Sequence, residues 1–417
     1  MPADLIVNPF LQFRPFLDPE SNFVLTAPKP GEGTIEFTVS QAEHPNIFEV
    51  FTDLSQTQFS FLEADKDLTP TECDLLLRKG VLIEKETKLE KPLFECDLEN
   101  IAEYPDEIDV AQLIVNTTFQ FERHDLTSFA SLSQMAHLSP FRPTAWIANS
   151  VTQVPSGYWL SPGDAEIVEQ FTAGGSPKTT ITDRLLRKLT AARILGTADG
   201  FENETANWLR LVEKAKQDFA ADKYSVVRGL FPPEQMAAMR SYYRRYVDNG
   251  FMPFGDTQVP RRFRQHNEPF ASFLHGKFSK LVSRIVGEAV KPSYAYAASY
   301  KGGAVLPPHT DREQCEFSIS FQVDYEPEPP QHVSPWAIYV EPIPESCTPG
   351  PGGLSFTWDE LAQRSVLKPS GLHLASGDGL FYKGRHLIHY REALPVGHRS
   401  TSLFFHFVPA DFDGTLN

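Results

Sequence analysis

Three short stretches in the C-terminal half of the sequence carry side chains that bind metals and carboxylates. The first ends in His309-Thr310-Asp311, the second begins with His389, and the third contains Arg399 and Thr401. Two imidazoles and one carboxylate suit an iron(II) ion that is held on one face and left open on the other to oxygen and a further ligand. His309, Asp311 and His389 are therefore the candidate metal ligands.

The spacing within these stretches indicates which side chains share a face of a strand. Residues i and i+2 of an extended segment point to the same side, so His309 and Asp311 can both reach one metal. Arg399 and Thr401 are also two residues apart, and a guanidinium beside a hydroxyl binds a carboxylate well. The turn at 395–398 predicts a hairpin of 386–394 with 399–408, which would bring this pair close to His389.

The elements that position these residues are predicted to be short antiparallel strands. The runs EFSISFQVDY, HLIHYREAL and STSLFFHFV are rich in apolar residues and are separated by turn residues. Several such strands at close spacing favour an antiparallel sandwich or barrel, here over residues 220–417 with helices leading into it.

Two further regions precede this domain. Residues 1–115 are expected to form an acidic domain of mixed α/β character, in which the helix–helix–strand pattern of 46–86 is similar to a winged-helix module. Residues 116–219 are expected to form a connecting region that is irregular at first and then helical, with amphipathic helices at 182–195 and 203–221. The chain as a whole is thus predicted to be α+β.

The negative charge of the chain is concentrated near its N-terminus. The net charge is −16, and residues 1–110 hold 23 acidic and 8 basic side chains, which leaves 31 acidic and 30 basic in the remainder. Such a region repels nucleic acids and anionic membranes, so neither is an expected partner. Four cysteines without a CxxC pair favour reduced thiols in a cytoplasmic protein. No apolar run reaches 18 residues, and the first residues lack a signal-peptide pattern.

The motifs together resemble the Fe(II)/2-oxoglutarate-dependent oxygenases. His309-Thr310-Asp311 is followed by His389 and, ten residues later, by Arg399-x-Thr401, and the stretch 300–311 is most similar to the prolyl 4-hydroxylase-like branch. The resemblance covers about residues 224–410. It implies a double-stranded β-helix (jelly-roll) barrel that binds Fe(II) through His309, Asp311 and His389 and uses 2-oxoglutarate and O₂. It further implies that Arg399, helped by Thr401 and Tyr300, binds the distal carboxylate of 2-oxoglutarate.

Several assignments have alternatives at this level. His386 competes with His389 for the metal, but the two face opposite sides of a strand, and His389 has the family's usual spacing to Arg399. Tyr294 or Tyr296 could replace Tyr300. The basic run that contains Arg262, Arg264 and His266 is either a solvated loop or an edge that contacts substrate.

The expected function is hydroxylation of an unactivated C–H bond in an amino-acid or peptide-type substrate, with succinate and CO₂ as coproducts. Members of the family that halogenate have lost the carboxylate ligand, and Asp311 is present here. The N-terminal region is open to three uses: recognition of a peptide or protein, a scaffold, or the interface of a homodimer. Two other classes of protein stay open, a cupin-like metal enzyme that does not use 2-oxoglutarate and a non-catalytic binding protein on the same barrel.

Overall fold

A computed structural model describes most of the chain. The described residues are 5–15, 22–56, 68–87, 89–101, 109–123, 142–177, 180–363 and 370–416. They form helices and several antiparallel sheets, as expected of an α+β protein.

The chain divides into two compact units, and their bounds differ from the predicted ones. One unit contains Met1–Pro92 with Tyr243–Gly255, and the other contains Leu93–Tyr242 with Asp256–Asn417. Residues 93–115 and the predicted connecting region thus belong to the same unit as the C-terminal strands. A hydrogen bond between the predicted connecting region and the predicted C-terminal domain illustrates this. Nε2 of Gln235, in the latter, donates to the carbonyl of Gly157, in the former, at 2.8 Å.

In the described residues between 5 and 92, the first unit contains five strands and two helices. Strands β1 (Leu5–Val7) and β5 (Leu82–Glu84) pair with each other. Strands β2 (Gln12–Pro15), β3 (Asn22–Lys29) and β4 (Gly33–Ser40) form a three-stranded antiparallel sheet. Helices α1 (Pro45–Gln56) and α2 (Pro70–Arg78) lie between β4 and β5 in the sequence. The helix–helix–strand order predicted for 46–86 is therefore confirmed.

Local sequence explains where α2 begins. Thr69 accepts a hydrogen bond from the backbone N–H of Glu72, and the Glu72 carboxylate accepts one from the backbone N–H of Thr69, which is a complete capping box. The three-stranded sheet precedes both helices in the chain, so the likeness to a winged helix rests on α1, α2 and β5 alone.

The second unit begins with short strands and helices. These are β6 (Leu113–Val115), β7 (Gln120–Glu122), β8 (Thr144–Ala148), β9 (Pro155–Trp159), α3 (Pro162–Val168), α4 (Asp183–Ala191), β10 (Leu195–Thr197) and α5 (Ala198–Asp222). Helices α4 and α5 confirm the two predicted amphipathic helices. Residues 124–141 of the stretch expected to be irregular lie outside the described residues. The rest of that stretch is more regular than expected, since it contains β8, β9 and α3. Within the β8–β9 pair, Gly157 leaves room for the Trp146 ring.

The remaining elements carry the candidate site. They are β11 (Tyr224–Val227), α6 (Pro233–Asp248), β12 (Arg262–His266), α7 (Pro269–Val286), β13 (Val290–Lys301), β14 (Leu306–His309), β15 (Phe317–Glu326), β16 (Ile338–Pro342), α8 (Trp358–Gln363), β17 (Ser370–Leu372), β18 (Gly379–Lys383), β19 (Leu387–Arg391) and β20 (Arg399–Pro409).

These strands form two antiparallel sheets. The larger has the order β11-β18-β15-β20-β13-β12, and the smaller has the order β14-β19-β16-β17. Buried side chains of both sheets share a hydrophobic cluster, in which Tyr300 and Phe404 of the larger sheet join Leu306 on β14 of the smaller sheet. Helix α7 covers the other face of the larger sheet, where Phe278 lies 5.1 Å from Phe405 between ring centroids.

The hairpin predicted for 386–394 with 399–408 is wrong. Strand β19 pairs with β14 and β16 in the smaller sheet, whereas β20 pairs with β13 and β15 in the larger one. The turn between β19 and β20 thus carries the chain from one sheet to the other.

Within the described part of the chain, no helix has both the length and the apolar composition that crossing a bilayer requires. None of the four cysteines, all of which lie among the described residues, forms a disulfide.

Candidate metal centre

The two neighbouring strands β14 and β19 bring His309 and His389 together. The two residues are direct partners in the antiparallel register, and their ring centroids lie 4.2 Å apart. Asp311 follows two residues after His309, and its Oδ1 lies 3.4 Å from Nε2 of His389 and 3.9 Å from Nε2 of His309. One ligand atom from each residue lies within 4.8 Å of the other two. The structure thus brings the three predicted ligands into one cluster.

Backbone carbonyls orient both imidazoles. Nδ1 of His309 lies 2.8 Å from the carbonyl of Pro307, and Nδ1 of His389 lies 3.1 Å from that of Leu387. A carbonyl accepts only, so each Nδ1 carries the proton and each Nε2 keeps its lone pair. Such an outer hydrogen bond is the usual way in which proteins fix the tautomer of a metal-binding histidine.

Asp311 is held from the side that faces away from the histidines. The Ser318 hydroxyl donates to Oδ2 at 3.1 Å, which leaves Oδ1 directed at the two rings. Gly384 leaves the space for this carboxylate, because a Cβ at that position would lie 2.2 Å from Oδ2. The backbone N–H of Asp311 also donates to the Gly384 carbonyl at 2.9 Å.

A loop before α8 supports the segment that carries the ligands. Thr310 donates its backbone N–H to the Leu354 carbonyl, and its hydroxyl accepts from the Leu354 N–H, each at 2.8 Å. Gly353 has φ of +79°, and a Cβ there would lie 2.4 Å from the Thr310 carbonyl. The close approach of the two backbones therefore requires glycine.

The electrostatics leave His309 and Asp311 ready to bind a cation but act differently on His389. Burial alone would lower the pKa of His389, but the Asp311 carboxylate and the Leu387 carbonyl together raise it above its ordinary value. Burial lowers the pKa of His309 to about 4, and the neighbouring His389 adds to the shift. Burial alone would raise the pKa of Asp311, but the neighbouring His389, His406 and His309 together hold the pKa below its ordinary value. The result is an ionised carboxylate beside an imidazole, His309, that is neutral at physiological pH.

The three residues line a cavity of about 530 Å³. Tyr294, Tyr296 and Tyr300 line it too, so the structure places all three tyrosine candidates there. Of these, the Tyr300 hydroxyl accepts a hydrogen bond from Nη1 of Arg262 at 3.3 Å, while that of Tyr296 donates to Asp256.

The basic run on β12 also faces this cavity. Arg262, Arg264 and His266 are lining residues. Nε of Arg262 donates to the Asp256 carboxylate at 2.7 Å, and Nε of Arg264 lies 3.6 Å from the same carboxylate. Burial lowers the pKa of His266, and so does the positive charge of Arg312 and Arg264. The run is thus part of a strand that lines the cavity and not a loop, and its contact with a substrate stays a prediction.

Arg399 and Thr401 are not brought to the metal ligands. On β20 the lining residues are Phe404 and His406, which share a face with Ser400, whereas Arg399 and Thr401 lie on the opposite face. Arg399 pairs with the Glu326 carboxylate, and the Thr401 hydroxyl donates to that of Ser299 at 2.9 Å. The expected hairpin would have turned this pair towards His389, and its absence accounts for the difference.

His386 is also separate from the cluster. Its side chain is 39% exposed, and its Nε2 lies 3.2 Å from a Glu316 carboxylate oxygen. The preference for His389 over His386 agrees with this placement.

Sequence reasoning did not single out two polar residues of the site. Ser318 contacts both Asp311 and Nδ1 of His406, and no motif signals it. Arg391 is 1% exposed on β19, and burial lowers its pKa to about 10, so it stays charged at neutral pH. Its position two residues after His389 could have indicated that it shares the face of that ligand.

The donor set fits iron(II). Two Nε2 atoms and one carboxylate oxygen lie within 4.8 Å of one another on the wall of the cavity, which is the donor set of a facial triad that leaves further positions open.

No protein-family model matches the sequence, and no curated protein matches it. Among solved structures, the non-heme alpha ketoglutarate dependent epimerase SnoN from nogalamycin biosynthesis is 14% identical, with 48% of this chain and 83% of that chain covered and a TM-score of 0.38. A Pseudomonas putida prolyl-4-hydroxylase is 16% identical, with 48% and 98% covered and a TM-score of 0.35. HygX from Streptomyces hygroscopicus, with nickel, 2-oxoglutarate and hygromycin B bound, is 15% identical, with 48% and 88% covered and a TM-score of 0.36.

Proposed function

We propose that this protein is an Fe(II)- and 2-oxoglutarate-dependent oxygenase that hydroxylates an unactivated C–H bond of an amino-acid or peptide-type substrate. The observation that carries the proposal is the convergence of His309, Asp311 and His389 on the wall of one cavity. The two antiparallel sheets that hold these residues correspond in our proposal to the double-stranded β-helix of the family.

Iron(II) with 2-oxoglutarate would supply the activation of O₂ and the oxidation of the C–H bond, which no protein side chain can perform. The chain's own residues orient the metal ligands and exclude water. The carbonyls of Pro307 and Leu387 aim the imidazoles, and Ser318 aims the Asp311 carboxylate. The aromatic walls that Tyr294, Tyr296 and Tyr300 provide keep bulk water from the reacting atoms.

The charge of the cavity supports an amino-acid-type substrate. Arg262, Arg264 and Arg312 line it together with the carboxylates of Asp256 and Asp311. Asp311 is assigned to the metal, and the Asp256 carboxylate lies against both Arg262 and Arg264. The three arginines therefore leave the cavity with an excess of positive charge. A substrate carboxylate would balance it. A volume of about 530 Å³ is in the range of small-molecule sites.

Anaerobic spectroscopy followed by turnover tests the proposal. Iron(II) and then 2-oxoglutarate are added to the wild type, His309→Ala and the matched control His386→Ala. We expect a weak visible charge-transfer band in the wild type and in His386→Ala, and none in His309→Ala. Metal binding without a response to 2-oxoglutarate would favour the cupin-like class, and no metal binding would favour a non-catalytic protein.

Substrate class is tested in the same preparation after air is admitted. Succinate formation is measured with free amino acids, their C-terminal amides and short peptides. Stimulation by the free carboxylate forms and a raised KM in Arg264→Gln are the expected results. Equal stimulation by the amides would refute the role given to the arginines.

A further inference from the structure

The guanidinium of Arg391 is the most unusual polar group beside the cavity. The residue is 1% exposed, and Nη1 donates to the Trp336 carbonyl at 2.7 Å. Among the described residues, neither Nε nor Nη2 of Arg391 has a hydrogen-bond partner. Burying such donors without acceptors is costly, more so when the group is charged. A structure that keeps two of them points to an acceptor that binds there.

The two unpartnered atoms have the geometry of a carboxylate receptor. Nε–H and the Nη2–H beside it point in the same direction and form one edge of the planar guanidinium, which binds both oxygens of a carboxylate at once. Nη1, which is used by Trp336, lies on the other edge. The guanidinium also stacks on the Trp336 ring at 4.6 Å, which fixes its plane.

The position of Arg391 relative to the metal ligands suits a short dicarboxylate. Arg391 and His389 share a face of β19, separated by ~6.6 Å along the strand. Leu306, the cross-strand partner of Arg391, lines the cavity, as do Tyr300 and Tyr382, with which the guanidinium interacts electrostatically. Arg391 is 1% exposed and is not itself a lining residue of the cavity, so a molecule bound to the metal at one end would meet this edge only past these three residues.

Other arginines are less suited to this role. Arg399 faces away from the cavity and pairs with Glu326. Arg262 lines the cavity, but it donates to the Asp256 carboxylate and to the side-chain oxygen Oε1 of Gln258.

We propose that the free edge of Arg391, and not Arg399, binds the distal carboxylate of 2-oxoglutarate. The inference rests on the proposed function, and it moves the cosubstrate's anchor from β20 to the strand that carries His389. Arg399 is then half of a partly buried ion pair with Glu326.

Comparing two keto acids isolates this contact from any general effect on folding. 2-Oxopentanoate has the five-carbon keto acid of 2-oxoglutarate but a methyl group in place of the distal carboxylate. Both are titrated anaerobically into the iron(II)-loaded protein, and affinity is read from the charge-transfer band. The preference for 2-oxoglutarate over 2-oxopentanoate measures the carboxylate contact alone. In the wild type we expect a ~10- to 150-fold preference for 2-oxoglutarate, which is the size expected of a hydrogen bond to a charged group.

Three variants decide the assignment. In Arg391→Met the preference should fall to ~3-fold or less, and in Arg391→Lys, which keeps the charge but not the planar edge, it should fall by ~5-fold or more. Arg399→Met should keep the wild-type preference. If Arg391→Met does not fold, Arg391→Lys and Arg399→Met still give the answer. The assignment of Arg391 is overturned if a folded Arg391 variant keeps the preference for 2-oxoglutarate, or if Arg399→Met loses it. Either result would leave the proposed function standing. A wild type that binds iron(II) but not 2-oxoglutarate overturns the proposed function as well.

Discussion

Replacing Gly384 by alanine tests how tightly the Asp311 ligand is positioned. A Cβ at 384 would lie 2.2 Å from Oδ2 of Asp311 and 2.5 Å from the Cys315 carbonyl. The second atom belongs to the backbone, so it yields less readily than a side chain. The carboxylate therefore has to rotate or shift, and the Ser318 hydrogen bond to Oδ2 is lost with it.

The size of the effect follows from these distances. Relief of the contact requires Oδ2 to move by about 1 Å, since non-bonded carbon and oxygen atoms are repelled well before 2.2 Å. Loss of a hydrogen bond that orients a metal ligand costs about 10- to 100-fold in metal affinity. Each factor of ten is about 1.4 kcal/mol, so the expected loss of iron(II) binding free energy is about 1.4–2.8 kcal/mol.

Anaerobic calorimetric titration with iron(II) measures this loss, and thermal unfolding checks that the variant is folded. Gly276→Ala is the matched control, because that glycine lies in α7 and a Cβ there meets no atom within 4 Å. Wild-type iron(II) affinity in a folded Gly384→Ala protein would refute the reasoning. Ser318→Ala removes the same hydrogen bond without a clash and should weaken binding by about 10-fold.

Three further changes have clear expected results. His389→Gln should reduce iron(II) affinity by about 100-fold or more in a calorimetric titration, whereas His386→Gln should leave it unchanged, because only His389 belongs to the cluster. Glu268→Ala should lower the free energy of unfolding in urea by about 1–3 kcal/mol, because the buried Glu268 carboxylate accepts the first N–H groups of α7 and the Tyr242 hydroxyl. The exposed Glu288→Ala is its control, and equal effects would contradict the capping role. Without metal, the free energy of unfolding should fall as pH is lowered from about 6.5 to 4. Burial lowers the pKa of His275, His309 and His406 to about 4, so the unfolded chain takes up protons in this window that the fold does not. Each histidine contributes a slope of up to about 1.4 kcal/mol per pH unit, and unfolding curves that are flat between pH 6.5 and 5 would contradict it.

The parts of the site that follow from local spacing were predictable from the sequence. His309 and Asp311 are two residues apart on an extended segment, and their common face needs no tertiary information. The choice of His389 over His386 used the same alternation. The capped start of α2 at Thr69 is likewise encoded within four residues.

The parts that depend on sheet assignment were not predictable in this way. The turn at 395–398 is compatible with a hairpin, but the choice between pairing β20 with β19 and pairing it with β13 and β15 depends on contacts across the whole unit. A shift of one residue in register reverses every side chain of a strand. That single uncertainty decides whether Arg399 or its neighbour Ser400 faces the cavity.

Placing the metal ligand and the carboxylate receptor on one strand has a mechanical consequence. His389 and Arg391 are joined by a single intervening residue of β19, which pairs with β14 on one side and β16 on the other. Their separation is therefore fixed by the rise of the strand and does not change when the two sheets move relative to each other. An anchor on β20 would lie in the other sheet, so its distance from the metal would depend on how the sheets pack. A cosubstrate held by β19 at both ends would keep its keto acid aligned with the metal. The arginines that line the cavity could then adjust to the substrate without moving the cosubstrate. Holding the reacting groups in a fixed orientation in this way lowers the entropic part of the reaction barrier.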